Sequence, residues 1–233
     1  MVPLVVAIIP VLNEAGAIGP TVASLPRAVV DLVLVVDGGS TDGTVAEAEA
    51  AGAEVLVERR AGYGRACALG AARAAALGAS VLLFLDGDGA DPAEEAGRLV
   101  GPILANEADF VLAARTRIGR EAGSMGRHQV LAGRLIGGTV GLMIRGARYT
   151  DMSAFRAIRA DHLAALGMRE ATYGWNLEMQ MRAAHAGLRV REVPLPYRRR
   201  IAGRSKVAGN WRGTLRAGRR IMGTLARVGW GLR

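Results

Sequence analysis

The sequence predicts an α/β fold, with one mostly parallel sheet flanked by helices in a single domain, followed by a basic amphipathic helix. Three observations carry this. From Leu4 to Ala113, short apolar runs alternate with helix-patterned stretches, the rhythm of βαβ units. Each run is apolar throughout rather than at every second position, as a strand covered on both faces requires. The chain has 233 residues, 51% of them hydrophobic, enough for one well-filled core. Aromatics make up only 4%, so that core is built of Ala and branched aliphatics.

Taken in order, Leu4–Ile9 is a strand and Ala15–Leu25 a helix. Leu32–Val36 is a strand, and Ser40, Thr41 and Asp42 supply cap chemistry for a helix over Thr44–Ala51. Ala53–Val57 is a strand and Gly64–Leu77 an Ala-rich helix. Val81–Leu85, Pro92–Ala105 and Phe110–Ala113 continue as strand, helix, strand. Beyond Arg115 the rhythm changes. Residues 116–127 are rich in Gly, Arg and Ser and read as a loop, and Val130–Ile144 reads as an apolar helix. Residues 150–156 form a turn leading into an edge strand. Ala160–Leu166 and Trp175–Ala186 are helical, and Leu188–Val193 is a strand ending at Pro194. The domain spans 1–207. In the amphipathic segment 208–233, Trp211, Leu215, Gly218, Met222 and Leu225 share one face.

Charge and cysteine narrow the function. The net charge is +9, yet the stretch from Arg198 to Arg233 holds ten Arg, one Lys and no acid, leaving about −2 on the remainder. The basic character therefore belongs to the C-terminal segment and calls for an anionic partner: nucleic acid, a membrane surface or phosphate. A nucleic-acid-binding module would interleave basic and aromatic residues over a folded surface. Here the excess charge sits at one end, which argues against nucleic acid. The single cysteine, Cys67, excludes a disulfide framework and a cysteine zinc site. The N-terminal run lacks a basic flank and a cleavage site, and no stretch offers the roughly 20 apolar residues of a membrane span. These features predict a cytoplasmic protein.

Acidic residues cluster where strands end. In LFLDGDGADP, Leu83–Pro92, a buried strand runs into Asp86, Asp88 and Asp91. Asp86 and Asp88, one residue apart and flanked by glycine, offer hard oxygen ligands suited to Mg²⁺ or Mn²⁺, ions that keep waters and bind diphosphate oxygens. In VVDGGSTDGT, a strand ends in Asp37 before a glycine turn, where an open α/β sheet binds its ligand. A tight turn capped by Asp37 explains the same residues equally well. In PVLNE, Asn13 and Glu14 either open a helix or serve a ligand.

Taken together these segments resemble the family-2 glycosyltransferases of GT-A fold, most closely the dolichyl-phosphate mannose synthases and bacterial polyprenyl-phosphate glycosyltransferases. IIPVLNE, VVDGGSTDGT, GYGRACALG, LFLDGDGADP, DFVLAAR, YTDMSAFRAIR, TYGWNLEMQMRAAHAG and VREVPLPYRRRIAGRSK, followed by Gly209-Asn210, match the family's segments in order over about residues 4–210. The resemblance implies a Rossmann-like nucleotide-diphospho-sugar transferase. Pro10, Leu12, Glu14 and Asp37 would line the base pocket, and Asp86 and Asp88 would hold the metal and donor diphosphate. Asp151 would face the sugar or acceptor. Arg115, Arg156, Arg200, Ser205 and Lys206, the chain's one lysine, would handle phosphate. Two departures stand out: Arg204 replaces the usual Glu of GlyGluSerLys, and Ala90 sits where some members carry a further polar metal contact.

The implied reaction moves a hexose, with inversion, from a UDP-glucose- or GDP-mannose-type donor to a polyprenyl phosphate. A phosphate monoester has its second pKa near 6, so it is already largely ionised and needs no strong base. A hydroxyl acceptor on a glycolipid or envelope saccharide would need one, with Asp151 the candidate. The basic segment, with Trp211 and Trp230, would draw the enzyme to the anionic inner face of the plasma membrane.

Overall fold

In the computed structural model, residues 2–124, 138, 140, 141, 144, 149–202 and 222–231 are described, with the backbone alone at 116–118. The strands are β1 (Val5–Val11), β2 (Leu32–Asp37), β3 (Glu54–Val57), β4 (Val81–Phe84), β5 (Phe110–Arg120), β6 (Arg156–Arg159) and β7 (Val190–Tyr197). They form one sheet in the order β3-β2-β1-β4-β6-β5-β7. Pairing is parallel except where β6 runs antiparallel to β4 and β5. The mostly parallel sheet expected from the sequence is therefore observed.

The helices are α1 (Ile18–Ser24), α2 (Thr44–Ala50), α3 (Tyr63–Ala76), α4 (Ala96–Leu104), α5 (Ala160–Leu166), α6 (Trp175–His185) and a C-terminal helix over 222–231, α7. They divide between the two faces according to the side-chain alternation of the strands. Val5, Ala7, Ile9 and Val11 of β1 point to one core, shared with Ile18 and Val22 of α1, Ala48 of α2 and Leu99, Val100 and Ile103 of α4. Val6 and Ile8 point to the other, shared with Ala66, Cys67 and Ala74 of α3, Leu163 of α5, Trp175 and Met179 of α6, and Leu225 and Val228 of α7. Small residues let α3 come close: a Cβ on Gly70 would lie 2.5 Å from Ile8 Cγ2.

Four expectations change. The segment 116–127 is not all loop, because β5 continues through Arg120 beside β7, with a register shift after Arg115 and Gly119 at φ 81°. A glycine that accepts this conformation lets a strand bulge and carry on. β7 does not stop at Pro194 but runs through Pro196 to Tyr197. It is the sheet's outer strand, and two prolines spaced by two residues both turn their missing N–H to the open edge. The strand after residue 150 is not at an edge: β6 lies between β4 and β5, and Arg156, Ala157 and Ile158 are fully buried. Finally, Leu225 packs inward while Met222 on the same expected face is 60% exposed, because α7 buries Thr224, Leu225, Val228 and Gly229. Trp211, Leu215 and Gly218 lie outside the described residues, as does most of the helix expected over 130–144. No described helix is long and apolar enough to cross a membrane.

Candidate active site

β1 and β4 are neighbours, and the chain leaves them in opposite directions across the sheet. Their carboxyl ends therefore open the crevice where doubly wound folds bind ligands. On the β1 side two loops are stapled together. Asn13, at φ 50°, donates its N–H to Ser40 Oγ (2.8 Å), and its Oδ1 accepts from the Thr41 N–H (2.8 Å). The N–H groups of Glu14, Ala15 and Gly16 then donate to Thr44 Oγ1 (2.8 Å), Asp42 Oδ2 (3.3 Å) and Glu47 Oε2 (2.7 Å). The polar residues after β2 thus fix the backbone after β1. Asp37 is buried, and its carboxylate accepts from the N–H groups of Gly39 and Ser40, so it holds the turn. Pro10, half-buried, and Leu12, exposed, stand at the end of β1 beside it.

After β4 the chain crosses the end of β1 at Gly87, where a Cβ would meet Val11 Cγ1 at 2.6 Å. Asp88 is buried. Its Oδ1 accepts the Ala90 N–H (2.9 Å), and its Oδ2 lies 2.7 Å from Arg200 Nη2. Arg200 Nη1 lies 3.7 Å from Glu14 Oε1, so one guanidinium links the β1 and β4 loops. The third acid, Asp91, turns inward toward the Asp86 backbone N–H (3.4 Å) and is also buried. Burial, then the charge of Asp88, pushes the Asp86 carboxyl up to about 6. Burial, with the charges of Asp86 and Asp88, raises Asp91 well above the carboxylate range. Three acids held this close favour a cation among them. Among the described residues, however, no three His, Cys, Asp or Glu converge tightly enough to chelate an ion unaided.

Arg115, at the end of the regular part of β5, grips Asp151 bidentately (Nε–Oδ2 2.8 Å, Nη2–Oδ1 2.7 Å). The Arg115 and Met152 N–H groups also donate to that carboxylate (2.8 and 2.7 Å). Burial works against ionisation of Asp151, but Arg115 outweighs it and the carboxyl sits below its usual range. The guanidinium lies 5.0 Å from the centroid of the Tyr197 ring and feels the charge of Asp91. Arg156 does not reach the crevice surface. It is 0% exposed and donates to the main-chain carbonyls of Asn176 (3.0 Å) and Ser153. Burial, with a smaller contribution from the charge of Arg115, pulls its pKa down to about 10. Ser205 and Lys206 lie outside the described residues.

Pro10, Leu12, Glu14, Asp37, Asp86, Asp88, Arg115, Asp151 and Arg200 thus lie toward one end of the sheet, the end where β1, β2 and β4 finish and the antiparallel β6 begins. Sequence reasoning gave no role to Asp91, Tyr63 or Tyr197. Asp91 was visible as the third acid of its motif. Tyr63, whose buried hydroxyl lies beside Asp86, carried no signal beyond its place in GYGRA.

The family profile for glycosyl transferase family 2 matches residues 6–167. The chain belongs to glycosyltransferase family 2. An uncharacterised glycosyltransferase of Mycobacterium tuberculosis is 34% identical over 216 residues, covering 91% of this chain and 93% of its own. The undecaprenyl-phosphate mannosyltransferase of Micrococcus luteus is 33% identical, covering 88% of both chains. The polyprenol monophosphomannose synthase of Mycolicibacterium smegmatis is 30% identical, covering 87% of this chain and 80% of its own. Among solved structures, glucosyl-3-phosphoglycerate synthase from Mycobacterium tuberculosis, crystallised with Mn²⁺, UDP and phosphoglyceric acid, superposes with a TM-score of 0.74 at 24% identity. That likeness covers 98% of this chain and 79% of the other and fixes the fold as GT-A. As a family-2 member this glycosyltransferase transfers a sugar, and its sheet order puts the acidic motif at the crevice where such folds take their nucleotide.

Proposed function

We propose that the enzyme transfers a hexose, with inversion and divalent-metal dependence, from a nucleoside-diphosphate sugar to a polyprenyl phosphate at a membrane surface. The observation that carries this reading is the engagement of Asp151. A hydroxyl acceptor needs a general base, and the carboxylate in position to serve is bound by Arg115 and two backbone N–H groups. A phosphate acceptor needs none. The likeness over 88% of both chains to a relative named for an undecaprenyl-phosphate acceptor supports the same choice.

The acids fit a metal of the Mg²⁺ or Mn²⁺ kind. Asp86 and Asp88 supply hard oxygens too few to cage an ion, which suits one whose remaining positions go to waters and diphosphate. When bound, such an ion offsets the charge that grows on the departing diphosphate. Pro10, Leu12, Glu14 and Asp37 border the place for the base. Arg115, aligned by Asp151, presents its guanidinium to phosphate oxygens. The acceptor oxygen attacks the anomeric carbon from the face opposite the diphosphate. The bond to the diphosphate oxygen breaks as the new one forms, and the nucleoside diphosphate leaves with the electron pair.

The membrane is the natural source of such an acceptor. On α7, Met222 and Trp230, the latter 82% exposed, share a stripe with Ala226, and Tyr173 is exposed beside the loop that holds this helix. An apolar stripe in a segment whose sequence is rich in arginine suits the interface of an anionic bilayer. The test supplies purified enzyme with Mn²⁺, undecaprenyl phosphate and radiolabelled UDP- and GDP-sugars. Label should enter the organic phase and be released by mild acid, and Asp88→Ala should abolish it. No lipid label, or label resistant to mild acid, would overturn the phosphate acceptor and make Asp151 the first base to test.

A further inference from the structure

Arg200 makes contacts that a dedicated phosphate ligand would not need. Nη2 is spent on Asp88, at 2.7 Å, and Nη1 points toward Glu14 at 3.7 Å. Nη1 is buried and has no hydrogen-bond acceptor. A guanidinium offers five donors in a rigid fork suited to two oxygens at once. Here the fork holds one carboxylate oxygen of Asp88 and leaves a buried donor unsatisfied, so the pairing with Asp88 is incomplete and open to replacement.

The backbone around Arg200 explains how it comes to lie there. After β7 the chain doubles across the acidic loop as a strap: the Arg198 N–H donates to the Ala90 carbonyl and the Ile201 N–H to the Asp88 carbonyl, both at 2.9 Å. Arg198 pairs with Glu94. The Ile201 side chain lies against Gly89, where an added Cβ would be 2.3 Å from Ile201 Cδ1. Arg200, between the two anchor points, is the residue directed over the carboxylate.

We propose that Arg200 is an exchange residue. It neutralises Asp88 until a divalent ion takes that carboxylate, and the released guanidinium then binds phosphate. This rests on reading Asp88 as a metal ligand. The exchange makes binding ordered. While Arg200 is paired with Asp88, its fork is closed to the acceptor. Once metal and donor diphosphate occupy the acids, the fork opens beside them, and the acceptor phosphate meets a cation only when a donor is in place. No bond is made or broken in this step; one carboxylate changes its cationic partner.

The test reads metal binding without nucleotide or turnover. Free Mn²⁺ is titrated by electron paramagnetic resonance against the full-length enzyme and its variants. Arg200→Ala should tighten Mn²⁺ binding by roughly three- to tenfold, the order expected for removing one positive charge from a partly exposed site. Arg200→Lys, which keeps the charge, should stay within about twofold of wild type. In steady state, Arg200→Ala should raise KM for a short-chain polyprenyl phosphate by about tenfold or more, with KM for the donor little changed. Unchanged or weaker Mn²⁺ binding in Arg200→Ala, with Asp88→Asn clearly weakened, would overturn the exchange and leave the metal site standing. Wild-type Mn²⁺ binding by Asp88→Asn would remove the metal reading itself, and the exchange with it.

Discussion

Asp86 is a heavily burdened carboxylate of the crevice, like its neighbour Asp91. It is partly buried, near Asp88, Asp91 and the buried Tyr63 hydroxyl, and its pKa is pushed up to about 6, by burial first and then by the charge of Asp88. The folded enzyme thus binds this proton more tightly than the unfolded chain does. Stability contributed at this site is full below the unfolded value near 4, falls as pH rises toward 6, and stays reduced above it. Asp86→Asn should therefore raise the stability of the metal-free enzyme near pH 7.5 by about 1–2 kcal/mol, discounted for partial exposure. The gain should vanish at acid pH, and metal-dependent turnover should be lost. Thermal melts of both proteins at the two pH values check this. Asp86 and Asp88 were legible because an apolar strand running into Asp-X-Asp has few other uses. Asp91 was legible only as a charge, since its direction depends on how the turn folds. Arg156 was misleading: ThrAspMetSerAlaPheArg reads as a turn leading into an edge strand, yet Arg156 pairs with Phe84 at the start of β6, inside the sheet. Nothing local in the sequence marks an arginine for burial.

At the scale of elements, the N-terminus of α3 carries Tyr63 to the acids, and it is held by backbone contact rather than by side chains. A Cβ on Gly64 would lie 2.1 Å from the Glu170 carbonyl oxygen, and the Arg65 N–H donates to the Ala171 carbonyl (3.2 Å). Gly64→Ala must push the 169–172 loop away or lift the first turn of α3. It should cost about 1–3 kcal/mol and lower turnover through displacement of Tyr63. Gly97→Ala in α4, whose Cβ would make only an ordinary 3.5 Å contact with Val29, should be neutral or stabilise by up to about 1 kcal/mol. Urea unfolding and activity of the pair separate the two effects. The sequence showed α3 as an Ala/Gly helix but not what its glycines were for, because Gly64 meets Glu170 and Ala171 and Gly70 meets Ile8 and Val36, all distant along the chain. The strands of the βαβ half were legible from their unbroken apolar runs. β5 and β7 were cut short because Gly119, Pro194 and Pro196 are breaking signals that an edge pairing overrides.

At the scale of the whole molecule, the proposed membrane contact requires the C-terminal segment both to pack on the domain and to keep a free face. α7 has one side for each. Leu225 and Val228 join the core cluster that also holds Trp175 and Met179 of α6, and Thr224 and Arg227 both donate to Glu170 Oε2 (2.9 Å each). Glu170 belongs to the same loop that abuts Gly64, so the seat of α7 is continuous with the seat of α3. Trp230 lies on the other side, 82% exposed. Amphipathicity was visible in the sequence, but the face turned inward was not. Both faces of 222–231 contain apolar residues, and only the fold shows which ones are buried. Two substitutions should therefore act oppositely. Leu225→Ala should destabilise the domain by about 1–3 kcal/mol and disturb turnover with soluble short-chain acceptors. Trp230→Ala should leave stability within about 0.5 kcal/mol and keep that turnover, yet weaken sedimentation with anionic vesicles several-fold. Added salt should weaken the residual vesicle binding of both, since the arginines act through screened charge. Vesicle binding by Trp230→Ala equal to wild type would remove α7 from the membrane interface, and the acceptor would then have to reach the crevice by another face.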